Sequence, residues 1–199
     1  MSDERLILFL KAPRPGFVKT RLAVALGPEA ACAAYRQLVE TLLPRLAGIA
    51  DVELRFSPDD ARPDIAPWLR PGWTAAPQGP GDLGARLARA TREAFAAGAR
   101  RVAVIGSDCP RVTAEDIKSA WAALAQHDVV LGPAMDGGYW LVALRAPEPR
   151  LFADITWSTG AVLEQTLAQA RAAGLSVKLL RELSDVDTPE DWERFLDGE

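Results

Sequence analysis

Residues 102–110 read VAVIGSDCP, four apolar residues and a glycine followed by an aspartate between a serine and a cysteine-proline pair. A short apolar run with no polar alternation is the signature of a strand buried on both faces, as in parallel or mixed sheets. The aspartate then falls at the carboxyl end of that strand, where open α/β sheets place their ligands. The runs at 6–10, 129–131 and 141–144 have the same character, and 52–56 alternates as a strand. Between them lie stretches of helical period: Leu83, Leu87, Ala90 and Ala94; Ile117, Ala120, Trp121 and Leu124; Val162, Leu163, Thr166 and Leu167. Strand and helix alternating along one chain predict a doubly wound, mostly parallel α/β sheet with helices on both sides.

Helix starts are marked by Thr113 with Asp116 and Thr188 with Asp191, each a variant of the capping box, and Pro189 suits a first helical position. The last helix is expected to bury Trp192, Phe195 and Leu196. Another helix is expected over 28–46, kinked or ended by Pro44, which removes an amide donor. Residues 57–80 hold six prolines and are expected to be irregular. No repeat or linker divides the 199 residues, so one domain over 1–199 is expected.

Composition narrows the function. A net charge of −4 and a pI near 5.2 argue against a nucleic-acid binder, which would carry a basic face. The apolar run after MSDER is five residues long, too short for a signal sequence or a membrane span, which places the chain in the cytoplasm and away from membranes. Cys32, Cys109 and His127 are too few for a disulfide framework or a zinc cluster, so any metal is held by oxygen.

Four segments can carry chemistry. KAPRPGFVKTR (11–21) brings Lys11, Arg14, Lys19 and Arg21 together without an acid, directly after the first strand, where they can receive a phosphate; the alternative is a solvated basic loop. In GSDCP (106–110), Asp108 can hold Mg²⁺ or Mn²⁺ against a phosphate, or merely cap a turn, while Cys109 lacks an activating neighbour and reads as packing. MDGGYW (135–140) is a tight turn by composition, yet Gly137 and Gly138 permit close approach of a ligand. Asp136 is then available to a sugar hydroxyl or as a base, with Tyr139 or Trp140 as a ring platform. DVDTPED (185–191) begins a helix, and Asp185 and Asp187, just outside it, are candidates for a further metal carboxylate. Weaker signals are QGPGDLGARL (78–87), whose Gln78, Asp82 and Arg86 suit a base or ribose, and TWSTG (156–160), with Trp157, Ser158 and Thr159. Capping and packing are the simpler explanation for both.

Taken in order, KAPRPGFVKTRL, QGPGDLGARL, GSDCP, DGGYW, WST and DVDTPEDW resemble nearly end to end the glycosyltransferase-A-like family of small bacterial proteins associated with radical-SAM, selenodomain and arsenosugar gene clusters. The resemblance implies the nucleotide-diphospho-sugar transferase superfamily, a three-layer α/β/α sandwich and a divalent metal at Asp108. Many glycosyltransferases of that fold have Asp-x-Asp at the metal; here Gly106 and Pro110 flank Asp108 at that spacing, so the second carboxylate comes from elsewhere, Asp187 or Asp185. The first loop also departs from the glycine-rich loop of related nucleotidyltransferases, although the guanylyltransferase branch that acts on phospholactate is similar in size and layout.

The leading expectation is glycosyl transfer from a nucleotide sugar to a small-molecule acceptor, with Asp108 and Asp136 catalytic, the basic loop offsetting phosphate charge, and positioning and electrostatics doing most of the catalysis. The alternative is nucleotidyl transfer to a phosphorylated small molecule. A third reading is a nucleotide or sugar sensor without turnover, since GSDCP contains a single carboxylate.

Overall fold

The computed structural model describes residues 3–198; Met1, Ser2 and Glu199, which the expected domain includes, lie outside them. The central strand β1 (Glu4–Lys11) pairs in parallel with β2 (Val52–Ser57) on one side and β4 (Arg101–Gly106) on the other. Outward from β2 comes β3 (Thr74–Pro77); outward from β4 come β6 (Tyr139–Leu144), β5 (Val129–Pro133) and β7 (Val177–Leu179). Only β6 runs antiparallel to its neighbours. That reversal is the hairpin which Asp-Gly-Gly encodes, so the sheet is mixed and mostly parallel.

The period of two along the strands sorts their side chains into two cores. Leu6, Leu8 and Leu10 of β1 face one layer, and Ile7 and Phe9 face the other. On the first face Tyr35, Val39 and Leu42 of α2 (Pro28–Arg45) and Ile117, Ala120 and Trp121 of α5 (Ala114–Ala123) close the core. On the second, Leu87, Ala90 and Ala94 of α4 (Leu83–Ala96) pack beside α6 (Val162–Ala172), which contributes Ala170 and the partly buried Leu163 and Leu167. The architecture is therefore an α/β/α sandwich.

Both capping boxes form: Thr113 and Thr188 accept from the amides of Asp116 and Asp191, whose carboxylates accept in return. Pro44 lies in the last turn of α2, and the helix ends one residue later.

Two expectations are corrected, and one strand is added. Residues 57–80 contain a short helix, α3 (Arg62–Ile65), and the edge strand β3, whose sequence TAAP has too little apolar content to announce a strand. The edge strand β7 was equally silent: it is three residues long, and its only partner is β5. The last helix, α7 (Pro189–Leu196), buries no residue: Trp192 and Phe195 are half-buried and Leu196 is 56% exposed. It lies on the rim against α1 (Thr20–Leu26), so only one side finds apolar partners.

The segment 180–187 carries Asp185 and Asp187 as a strap along β5. Leu180 donates to Leu131 O at 2.9 Å, Leu183 to Pro133 O at 3.1 Å and Met135 to Leu183 O at 3.1 Å. Trp140, whose indole covers the Cα of Gly132, donates from Nε1 to Arg181 O at 3.1 Å. Arg181 grips Asp116 through two 2.7 Å bonds, so the capping carboxylate of α5 also anchors the strap. Burial opposes ionisation of Asp116, but Arg181 and Thr113 outweigh it and hold its carboxyl below the ordinary range.

A carboxyl with a lowered folded-state pKa stabilises above its unfolded value, about 4, and that contribution is lost as pH falls through the lowered one. Urea denaturation from pH 7 down to pH 2.5 should therefore show Asp116→Asn less stable at neutral pH by about 1–2 kcal/mol, with the gap closing in acid. A gap that is constant with pH would contradict this account.

Candidate functional site

Parallel β1 and β4 lie side by side, but the chain leaves them in opposite directions, β1 toward β2 and β4 toward β6. Their carboxyl ends thus open a crevice at the topological switch point of the sheet. A cleft of about 680 Å³ lies there, lined among others by Lys19, Arg21, Arg86, Asp108, Asp185 and Asp187.

The loop after β1 ends at Lys19, the N-cap of α1, in the left-handed conformation (φ 47°, ψ 48°). A non-glycine residue holds that conformation only when its surroundings over-determine it. Here the side chain is 2% exposed, and its ammonium lies 2.5 Å from Asp108 Oδ1 and 2.8 Å from Asp187 Oδ1. Burial works against the charged form, but Asp108 and Asp187 outweigh it and raise the ammonium's pKa. Arg21, largely exposed, reaches to 4.0 Å from Asp187 Oδ2.

Asp108 follows β4 with its side chain half exposed, and its carbonyl accepts from Val186 N at 3.0 Å, which seats the strap. Asp185 is half-buried in the same crevice. Burial first, then the charges of Asp108, Asp136 and Asp187, push its carboxyl up to about 7. Asp136 forms the hairpin turn, Oδ1 accepting from Gly138 N at 2.8 Å. Two carboxylates converging on one point, Asp108 and Asp187, suit a hard divalent cation. Asp108 and Asp187 would hold it, and Asp185 lines the same cleft; no cluster of three metal-ligating side chains forms among the described residues. Burial pushes the Cys109 thiol up to about 12, and it packs in the core.

Tyr35, which nothing in the sequence singles out, ties the two strand ends together. Its buried hydroxyl accepts from Lys11 N at 2.9 Å and is bonded to Ser107 Oγ at 3.0 Å.

On the opposite wall Gln78 is buried, its amide donating to Leu10 O at 3.1 Å and Arg55 O at 3.0 Å, so its NH₂ is spent on the fold. Gln78 Oε1 accepts from Arg86 Nη1 at 3.2 Å, which aims Arg86 into the cleft. Asp82 lines the cleft while capping α4 through Ala85 N at 2.8 Å.

The structure does not bring every expected residue here. Arg14 turns outward to Asp64, at 2.7 Å, and Asp60, at 3.3 Å, while Lys11 stays on the cleft edge. Tyr139 and Ser158 line the cleft, but Trp157 packs edge-on to Tyr139 with ring centres 6.5 Å apart, and its indole covers Gly84. Thr159 donates to Thr156 O at 2.7 Å within its own loop. Gly137 (φ 84°) presses on Gly160, where a Cβ would come within 2.2 Å of the carbonyl oxygen, and Gly138 completes the turn. Gly137 serves contact between loops and Gly138 the turn itself; neither they nor Asp136, expected to be catalytic, line the cleft, because the tight turn spends them on its own bonds and packing.

Residues 42–159 match the family model DUF2064, described as an uncharacterized protein conserved in bacteria. The chain belongs to the DUF2064 family. Among its relatives is a phosphoenolpyruvate guanylyltransferase of Sphaerobacter thermophilus, 30% identical over 95% of this chain and 91% of that protein. Another is a phosphoenolpyruvate guanylyltransferase of Chloroflexus aggregans, 32% identical over 68% of this chain and 70% of that protein. A candidate nucleotide-diphospho-sugar transferase from Desulfovibrio desulfuricans G20, solved by crystallography, superposes with a TM-score of 0.92 at 36% identity, covering 98% of this chain and 87% of that one.

The DUF2064 match takes in Asp108 and Asp136, while Lys19, Arg21, Asp185 and Asp187 fall outside it and are joined to Asp108 by the fold. The resemblance read from the motifs is met at the level of this family and of the transferase fold. The curated relatives are guanylyltransferases rather than glycosyltransferases of the arsenosugar type.

Asp108, Asp185 and Asp187 line one cleft and Asp136, outside that lining, adds its charge to theirs at Asp185, so neutralising Asp185 should relieve repulsion. Asp185→Asn should raise the melting temperature at pH 8 by roughly 2–4 °C, equivalent to about 1 kcal/mol, while weakening Mn²⁺ binding; a lowered melting temperature would contradict the crowding of charge described here.

Proposed function

We propose that this protein is a nucleotidyltransferase of the guanylyltransferase type, joining a nucleoside monophosphate unit from GTP to a small phosphorylated carboxylic acid. One observation carries the reading: Asp108, Asp187, Lys19 and Arg21 converge on one cleft. The chain that builds this site is 30% identical over 95% of its length to a phosphoenolpyruvate guanylyltransferase. This places nucleotidyl transfer ahead of glycosyl transfer.

In this reading an acceptor phosphate oxygen attacks the α-phosphorus of the triphosphate, a new P–O bond forms, and the bond to the β-phosphate oxygen breaks to release pyrophosphate. A bound Mg²⁺ or Mn²⁺ supplies charge neutralisation of the phosphates. Asp108 and Asp187 would hold that cation, and Lys19 and Arg21 receive negative charge on the triphosphate as it shifts toward the leaving group. Arg86, aimed by Gln78, lines the nucleotide side of the cleft, and Ser158 and Tyr139 line the acceptor side. Asp136 stays at the hairpin, where its charge adds to the acidic cluster. Tyr35 fixes the relative height of the two loops and does not touch the substrate.

Glycosyl transfer from a nucleotide sugar is the second reading, favoured by the close superposition on the Desulfovibrio protein. The products separate the two. Incubated with GTP, phosphoenolpyruvate or 2-phospholactate, and Mg²⁺ or Mn²⁺, the protein should release pyrophosphate in proportion to acceptor. Asp108→Asn should reduce kcat by about 10²–10³-fold. Nucleoside diphosphate released from a nucleotide sugar, with no pyrophosphate from GTP, would overturn the proposal in favour of glycosyl transfer; binding without either product would favour a sensor.

A further inference from the structure

We propose that Lys19 is a built-in competitor for the cation position, its ammonium neutralising Asp108 and Asp187 until a divalent ion displaces it. The same Nζ contacts Asp108 Oδ1 at 2.5 Å and Asp187 Oδ1 at 2.8 Å. These are the two oxygens a divalent ion would need, since such an ion binds carboxylate oxygens at about 2.0–2.6 Å. A monovalent and a divalent cation cannot share that position, because their repulsion grows as the distance shrinks and is poorly screened when one of them is 2% exposed. Lys19 is seated for this role: it is fixed at the N-cap of α1 in a left-handed conformation, and its flexible side chain can swing while that backbone stays in place.

One further step rests on the nucleotidyltransferase reading. Phosphates entering the cleft offer the displaced ammonium a new anion, so cation and nucleotide should tighten each other's binding reciprocally. Lys19 then orders the arrival of cation and nucleotide, in addition to balancing charge.

The test is Mn²⁺ binding to the full chain, followed by the electron paramagnetic resonance signal of free Mn²⁺, with and without α,β-methylene-GTP. Lys19→Met, which keeps the length of the side chain and removes its charge, should bind Mn²⁺ about tenfold more tightly than wild type without nucleotide. Equal or weaker Mn²⁺ binding by a folded Lys19→Met overturns the proposal. Because that variant can fail to fold, wild-type protein provides a second readout: reductive methylation of Lys19, followed by mass spectrometry, should accelerate at least about tenfold on adding Mn²⁺. An unchanged rate also overturns the proposal. If both effects appear and the GTP analogue changes neither, competition by Lys19 stands and the nucleotide reading fails.

Discussion

Like charges at close range must be compensated, and the crevice at the end of β1 and β4 gathers Asp108, Asp185 and Asp187, with Asp136 of the hairpin also acting on Asp185. Lys19 is the compensating charge, drawn almost completely out of solvent to meet two of them. Its left-handed backbone is the local cost of placing an ammonium there, and the ion pairs that hold it set the course of the chain from β1 into α1. The strap follows the same constraint, because Asp187 can meet Lys19 only if residues 180–187 run along the end of β5.

That strap is held by backbone bonds and two side-chain clasps. Leu180, Leu183 and Met135 continue the ladder beyond the sheet; the indole of Trp140 and the guanidinium of Arg181 fix the intervening turn. The arrangement connects stability to function through named atoms. The carboxylate that caps α5 also holds Arg181, and Val186 behind it closes onto the carbonyl of Asp108. The N-terminus of α5 is thus tied to the strap that carries Asp185 and Asp187.

Much of the fold was legible in the chain because burial on both faces leaves a pattern local enough to read. The apolar runs mark β1, β4, β5 and β6, and the threonine-aspartate boxes mark the starts of α5 and α7. Edge strands β3 and β7 left no such trace, since each has a single neighbouring strand and few buried side chains. Phe195 and Leu196 misled for the converse reason: amphipathic spacing predicts an apolar face but not how much protein lies opposite it, and α7 sits on the rim.

By itself the sequence determined that Asp108 ends a buried strand, that the loop 11–21 is cationic, and that Asp185 and Asp187 precede a capped helix; each follows from residues within a few positions of one another. Only the tertiary structure decided which cations meet which carboxylates. Lys19 and Asp187 are 168 residues apart, and the choice of Lys19 over Arg14 depends on how the loop turns and on Asp60 and Asp64 drawing Arg14 away. Tyr35 joins the strand ends through an equally nonlocal contact, 72 residues from Ser107. Local pattern records whether a side chain is buried, but a pairing between distant segments is fixed by the packing of the whole sheet and leaves no spacing in the chain to read.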